Sequence, residues 1–197
     1  MVPVKSFALA KQRLTDHLDD DRRVMLARRC AQHVIEAGRP FEVFVVCDSD
    51  DVEHWAGTLG VPTIRSGAAG LNPSIEHAVQ VLADRGLDHA LVVHGDLPLA
   101  ESFGHLTMDG WVTIVPDHRY DGTNAMAIPT ALAGRFAFQY GRSSFRRHVL
   151  EAVTHWPRVR VVRDDLLARD LDTPDDLLDE RMEEVRQWLQ TNPASQP

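Results

Sequence analysis

Three cationic side chains, Lys5, Lys11 and Arg13, stand close together at the start of a chain of 197 residues whose formal net charge is −8. On a loop leaving a first strand, such guanidinium and ammonium groups converge on one anion; spread on a surface, they are only a solvated face. Two acids stand where a cation would be wanted. Asp96 lies in His94-Gly-Asp-Leu-Pro98, directly after an apolar run, and a carboxylate held there needs a partner. Asp170 lies in Arg169-Asp-Leu-Asp-Thr-Pro174 and shares a face with Asp172 if the backbone is extended. Mg²⁺ suits a site with few carboxylates, completed by phosphates and water. Capping of the next helix is the competing role for Asp96. Asp172 is placed to brace the following turn, which leaves Asp170 freer for metal, though residue types alone leave the choice open. The run Cys47-Asp-Ser-Asp-Asp51 has the form of a metal site too, but reads first as the cap of a short helix over 52–58.

Other loops offer donors for anions. Ser66-Gly-Ala-Ala-Gly-Leu-Asn72 precedes a helix and permits a close backbone approach by a phosphate or a nucleobase edge. Gly141, Ser143 and Ser144 precede another helix, where hydroxyls and unpaired N–H groups suit a phosphate or carboxylate, or serve as a plain cap. Tyr120-Asp-Gly-Thr-Asn-Ala125 is a further polar, glycine-bearing loop. The ten histidines show no metal-ligand spacing and read mostly as surface residues.

The elements that must position these groups alternate. Strand-like runs occur at 41–47, 90–93 and 111–115, with weaker ones at 124–128 and 159–162. Helical patterns cover 20–37, where Gly38 is the stop, then a stretch from Asn72-Pro73 to about Gly86, then 144–153. A last helix runs from the capping box at Thr173 towards Leu189. Strands separated by helices imply right-handed crossovers, a mostly parallel sheet and ligands beyond the strands' carboxyl ends. The fold class is therefore α/β, with residues 1–190 as one domain and 191–197 as a flexible tail. With 44% hydrophobic and 25% charged residues the composition is that of a soluble globular protein, without a stretch able to span a bilayer. The acidic balance argues against nucleic acid as a partner. Cys30 and Cys47 allow one disulfide, but two buried thiols in a reducing cytoplasm is the expectation.

Taken in order, VPVKSFALAKQRL, GLNPSIEHA, GDLPL, PDHRYDGTNAM, YGRSSFRRH and DLDTPDDL resemble the motifs of the 2-phospho-L-lactate guanylyltransferases, called CofC in archaea and FbiD in actinobacteria. The resemblance extends from Val2 to about Leu178. It implies a Rossmann-like, glycosyltransferase-A-like nucleotidyltransferase fold with a mostly parallel mixed sheet. It implies transfer of GMP from GTP to phosphoenolpyruvate or 2-phospho-L-lactate, with release of pyrophosphate, in coenzyme F-420 biosynthesis. By the same resemblance Asp96 and Asp170 hold Mg²⁺, Lys5 reaches the phosphates with Lys11 and Arg13, and Gly70 and Asn72 flank the guanosine. Thr123, Gly141 and Ser144 bind the acceptor. A homodimer is left open, and the product is expected to pass to the next transferase of the pathway. Asp121 and Arg142 depart from the family pattern at the acceptor loops. The rival readings are a sugar-phosphate or molybdenum-cofactor nucleotidyltransferase, whose glycine-rich first loop SFALAKQRL lacks, and a non-catalytic nucleotide-binding domain.

Overall fold

A computed structural model describes residues 1–39, 41–67 and 69–192. The expected tail falls almost wholly outside these residues. Seven strands are joined into two ladders: β1 (Val2–Pro3), β2 (Val45–Cys47) and β3 (Thr63–Arg65) pair in parallel, in the order β1-β2-β3. The second ladder runs β4 (His89–Val93), β6 (Thr123–Pro129), β5 (Val112–Pro116), β7 (Val159–Val161). There β6 is antiparallel to both neighbours, while β5 and β7 are parallel. The ladders meet at Met1, whose nitrogen donates to the Leu91 carbonyl at 2.6 Å and whose carbonyl accepts from Val93 N at 3.0 Å. That alternation is the parallel pattern. The resulting order, β3-β2-β1-β4-β6-β5-β7, reverses direction only in β6 and has its switch point between β1 and β4. The expected α/β class and mostly parallel mixed sheet are both observed.

Side chains alternate across this sheet, so one strand feeds two cores. Val46, Ile64, Val92, Ile114 and Met126 pack with Ile75, Ala78 and Val79 of α3 (Leu71–Asp84) and with Ala152 of α4 (Ser144–His155). Val2, Val45, Cys47, Val93 and Val115 face the other way, onto Ala31, Val34 and Ile35 of α1 (Asp20–Ala37) and Val52 and Trp55 of α2 (Asp50–Thr58). A third cluster serves the site directly: Leu14, Leu18, Leu26, Cys30, Leu171, Met182, Val185 and Leu189. Leu14 and Leu171 are fully buried in it. Burial of a leucine stabilises by about 1.5–3 kcal/mol, so the loop after β1 and the segment around Asp170 are both fastened to α1.

Helix α1 has the bounds that its pattern predicts, with the Asp19 carboxylate accepting from Arg22 N at 2.8 Å. Other helices differ from expectation, among them α2, which starts at Asp50 rather than at 52. Helix α3 begins at Leu71 rather than at Asn72-Pro73, and Gly70 takes the capping position at φ 102°. The last helix is broken: α5 (Pro174–Leu177) starts at the expected capping box of Thr173 and Asp176, then the chain turns before α6 (Glu183–Thr191). The break sits at Asp179, whose extended backbone and side-chain bond to Arg181 N start a new turn. Local capping there wins over continuation of the helix. Both cysteines are free and buried. No helix among the described residues is long and apolar enough to cross a membrane.

Candidate active site

The loops after β1 and β4 share a cleft of about 410 Å³, lined by Lys5, Lys11, Arg13, His94, Gly95, Asp96 and Asp172 among others. Ligand sites usually occupy 300–1,000 Å³. A larger groove of about 650 Å³ lies between α1, α2 and α6 and contains none of the groups expected to do chemistry. Gly95 lets the β4 loop pass tightly over β1: a Cβ there would stand 3.4 Å from Val2 and 3.5 Å from the Pro3 carbonyl. The β1 loop is braced from two sides that the sequence pattern did not point to. The Asp51 carboxylate accepts from Phe7 N at 3.0 Å and Ser6 Oγ at 3.2 Å, and buried Arg23 donates to the Ala10 carbonyl at 2.8 Å. The expected cap is not formed by the acids at 48–51: α2 starts at Asp50, not at 52, its N-cap position is Ser49 without a side-chain capping bond, and Asp51 instead anchors the neighbouring loop.

Asp96 and the Asp170 segment are directly joined. Leu171 N donates to the Asp96 carbonyl at 2.9 Å, and Lys11 Nζ donates both to Asp96 Oδ2, at 3.2 Å, and to the Leu171 carbonyl. Burial alone would raise the Asp96 carboxyl, but the Lys11 ammonium, and after it His94, hold it below the usual carboxylate range. Asp170 goes the other way: burial, then the negative charge of Asp96, push it up. Asn124 Nδ2 reaches Asp170 Oδ1 at 3.4 Å. Asp170 does not line the cleft that holds Asp96; it lines a separate cavity of about 320 Å³, with His118, Arg119 and Arg169. Asp172 faces the first cleft, where Arg13 binds it at 2.8 Å.

The donor set fits a hard divalent cation. Asp96 Oδ1 is buried and has no hydrogen-bond partner among the described residues, and Asp170 is held close enough to feel the Asp96 charge. Lys11 compensates Asp96 through one oxygen; an oxygen-seeking ion would give the other oxygen a partner and offset the negative charge that Asp96 and Asp170 impose on each other. Among the described residues no three His, Cys, Asp or Glu side chains are grouped as a complete metal cage. An ion here would therefore draw its remaining ligands from water and substrate.

The expected cations are not equivalent. Lys11 and Arg13 are paired with acids of the cleft, whereas Lys5 is exposed at its mouth and shares a small pocket of about 120 Å³ with Gly70. Ala68 of the glycine-bearing loop lies outside the described residues. Asn72 does not face that pocket; its Oδ1 accepts from Tyr140 N at 2.7 Å and so pins the 139–141 segment to α3. Of the residues expected to bind the acceptor, Thr123 and Ser144 are almost fully buried, and Thr123 reaches α4 through His148. Ser144 N donates to the Gly141 carbonyl at 3.0 Å, and buried Thr123 meets His148 of α4 at 3.0 Å. Gly141 has φ 115°, a conformation that side chains rarely adopt, and aligns the start of α4. Asp121 Oδ1 accepts from both Ser143 N and Ser143 Oγ at 3.1 Å, placing a carboxylate at that helix start.

Comparison with known proteins is consistent with this arrangement. The family described as "Guanylyl transferase CofC like" matches residues 1–184. A phosphoenolpyruvate guanylyltransferase of Chloroflexus aggregans is 31% identical over 184 residues, covering 87% of this chain and 90% of that one. One from Roseiflexus castenholzii is 34% identical, covering 98% and 88%. A 2-phospho-L-lactate guanylyltransferase of a Methanocaldococcus species is 26% identical, covering 90% and 78%. Among solved structures, a putative nucleotide-diphospho-sugar transferase from Desulfovibrio desulfuricans shares the fold with a TM-score of 0.71 at 17% identity, covering 92% and 86%. A nucleotidyl transferase from Methanothermobacter gives 0.62 at 16% identity, covering 97% and 98%. With the family's match running through β1, the Asp96 loop and the Asp170 segment alike, the chain belongs to the CofC-like guanylyl transferases.

Proposed function

We propose that this protein transfers GMP from GTP to the phosphate of a three-carbon acid and releases pyrophosphate. Phosphoenolpyruvate is the first choice of acceptor, because the relatives at 31–34% identity carry that name, and 2-phospho-L-lactate is the second. The observation that carries the reading is the direct bonding of the Asp96 loop to the Asp170 segment through Leu171 and Lys11. The acceptor's phosphate oxygen is already anionic and needs no general base. The obstacle is charge: two unit charges at about 4 Å repel by roughly 4 kcal/mol at an effective dielectric near 20. Lys5 faces the triphosphate and the departing pyrophosphate, while Lys11 and Arg13, paired with Asp96 and Asp172, reduce the negative charge beside them. Thr123, Ser144 and the backbone at Gly141 hold and orient the acceptor's anionic groups. Asp96 and Asp170 would hold Mg²⁺, which supplies neutralisation of the charge between the reacting phosphates. The product would then be consumed by a second transferase that builds coenzyme F-420.

Pyrophosphate release measured for four nucleoside triphosphates against phosphoenolpyruvate, 2-phospho-L-lactate and 3-phosphoglycerate, with Mg²⁺, tests the reading. GTP with one of the first two acceptors should stand out. No release with any pair, or release only with a nucleoside triphosphate other than GTP, would overturn it.

A further inference from the structure

The three residues assigned to the acceptor lie on β6, on the 139–141 segment and at the start of α4, and one buried ring on α4 bonds to Thr123 and to Gln139. His148 is 0% exposed and stands four positions after Ser144, on the same face of α4. Its Nε2 accepts from Gln139 N at 2.8 Å, in the segment that leads into Gly141. Its Nδ1 lies 3.0 Å from Thr123 Oγ1. Since Nε2 is occupied as an acceptor, the neutral ring carries its hydrogen on Nδ1 and donates it to Thr123. The Thr123 hydroxyl hydrogen then remains available for another acceptor. Tyr140 packs edge-on against the ring at 4.7 Å, and Phe138 does so at 6.3 Å, which fixes its plane. Burial lowers the imidazole to about 3, so it stays in this neutral form at physiological pH.

We infer that His148 is a positioning residue for the acceptor site, fixing the tautomer-dependent bond that leaves the Thr123 hydroxyl free to donate to the bound acid while it holds the approach to Gly141. The inference rests on the acceptor role proposed for Thr123. His148 itself touches no substrate; it acts through Thr123 and the 139–141 segment. The sequence pattern gave no hint of this, because His148 has no ligand-like spacing and reads as one more helix histidine.

Steady-state kinetics on single and double variants test it. His148→Leu removes both bonds and should raise the acceptor KM about tenfold, equivalent to about 1.4 kcal/mol, while the GTP KM stays within about twofold. His148→Asn keeps a donor near the Nδ1 position and should recover much of the loss. Thr123→Val should mimic His148→Leu, and the double variant should be little worse than either single one. Additive effects, an acceptor KM unchanged in His148→Leu, or equal rises in both KM values would overturn the inference. If Thr123→Val leaves the acceptor KM unchanged, the acceptor assignment fails and takes this inference with it. Should His148→Leu not fold, ¹⁵N spectroscopy of the unaltered protein decides: a neutral ring protonated on Nδ1 supports the inference, and one protonated on Nε2 defeats it.

Discussion

Lys11 Nζ is bonded at once to the Asp96 carboxylate and to the Leu171 carbonyl, so one ammonium ties together the loops after β1 and β4 and the C-terminal segment. Burial would lower this lysine, but Asp96 beside it raises it above its ordinary 10.5. The pair is therefore charged throughout the neutral range. Its side chains are 6% and 29% exposed, more protected than a surface ion pair.

Lys11→Met should lower unfolding stability by about 1–3 kcal/mol, because Asp96 is left without its counter-ion. The sign of the pH dependence follows from the two shifts. The contribution of Asp96, depressed in the folded state, is complete above its ordinary 3.8 and fades as pH falls through the folded value. That of Lys11, raised, is complete below 10.5 and is lost as pH rises through its folded value. The difference between parent and variant should thus be flat from about pH 5 to 9 and shrink beyond both ends. A difference that varies steeply near neutrality would contradict the pairing.

Asp96→Asn and Asp170→Asn should each cut pyrophosphate release by a factor of about 100 or more, yet part ways in stability. Asp170 is raised in the folded state, so its ionisation costs stability. That cost sets in as pH rises from 3.8 and is complete above the folded value. Melting curves at pH 7 should show Asp170→Asn equal to or above the parent and Asp96→Asn below it. The reverse order would mean that Asp170, not Asp96, is the carboxylate the fold relies on.

Chelation should abolish turnover and leave the melting temperature nearly unchanged, since Lys11 already compensates Asp96 within the protein. Added Mg²⁺ should restore the rate. Full activity in excess chelator would remove the metal role from both acids.

Asp121→Asn should keep the bonds from Ser143, because an amide oxygen accepts as a carboxylate does, while removing a negative charge from the acceptor loop. The acceptor KM should fall about two- to fivefold, the size of one partly screened charge, with the GTP KM unaffected. A rise in acceptor KM would show that the charge itself organises the loop.

What could be read from the sequence was local. Helix α1 spans Asp20–Ala37, as its apolar stripe and the stop at Gly38 predict; the acids after β4 and before α5 are marked by strand runs and by Thr173-Pro174. What could not be read was each side chain's partner across the fold. Asn72 looks like a cap and instead holds Tyr140 N, 68 residues away. Lys11 looks like a free cation and is spoken for by Asp96, 85 residues on. The division of the last helix at Asp179 was hidden too, because a capping carboxylate in a helical pattern has the same composition as an exposed helix face.

The seam at Met1–Pro3 carries a consequence of its own. These few residues bond to β2 on one edge and to β4 on the other, so the two ladders are aligned by a ribbon barely longer than one pleat. A slip of a single residue there would turn every following side chain to the opposite face. Lys5 would then swing away from the cleft while both flanking ladders stayed intact.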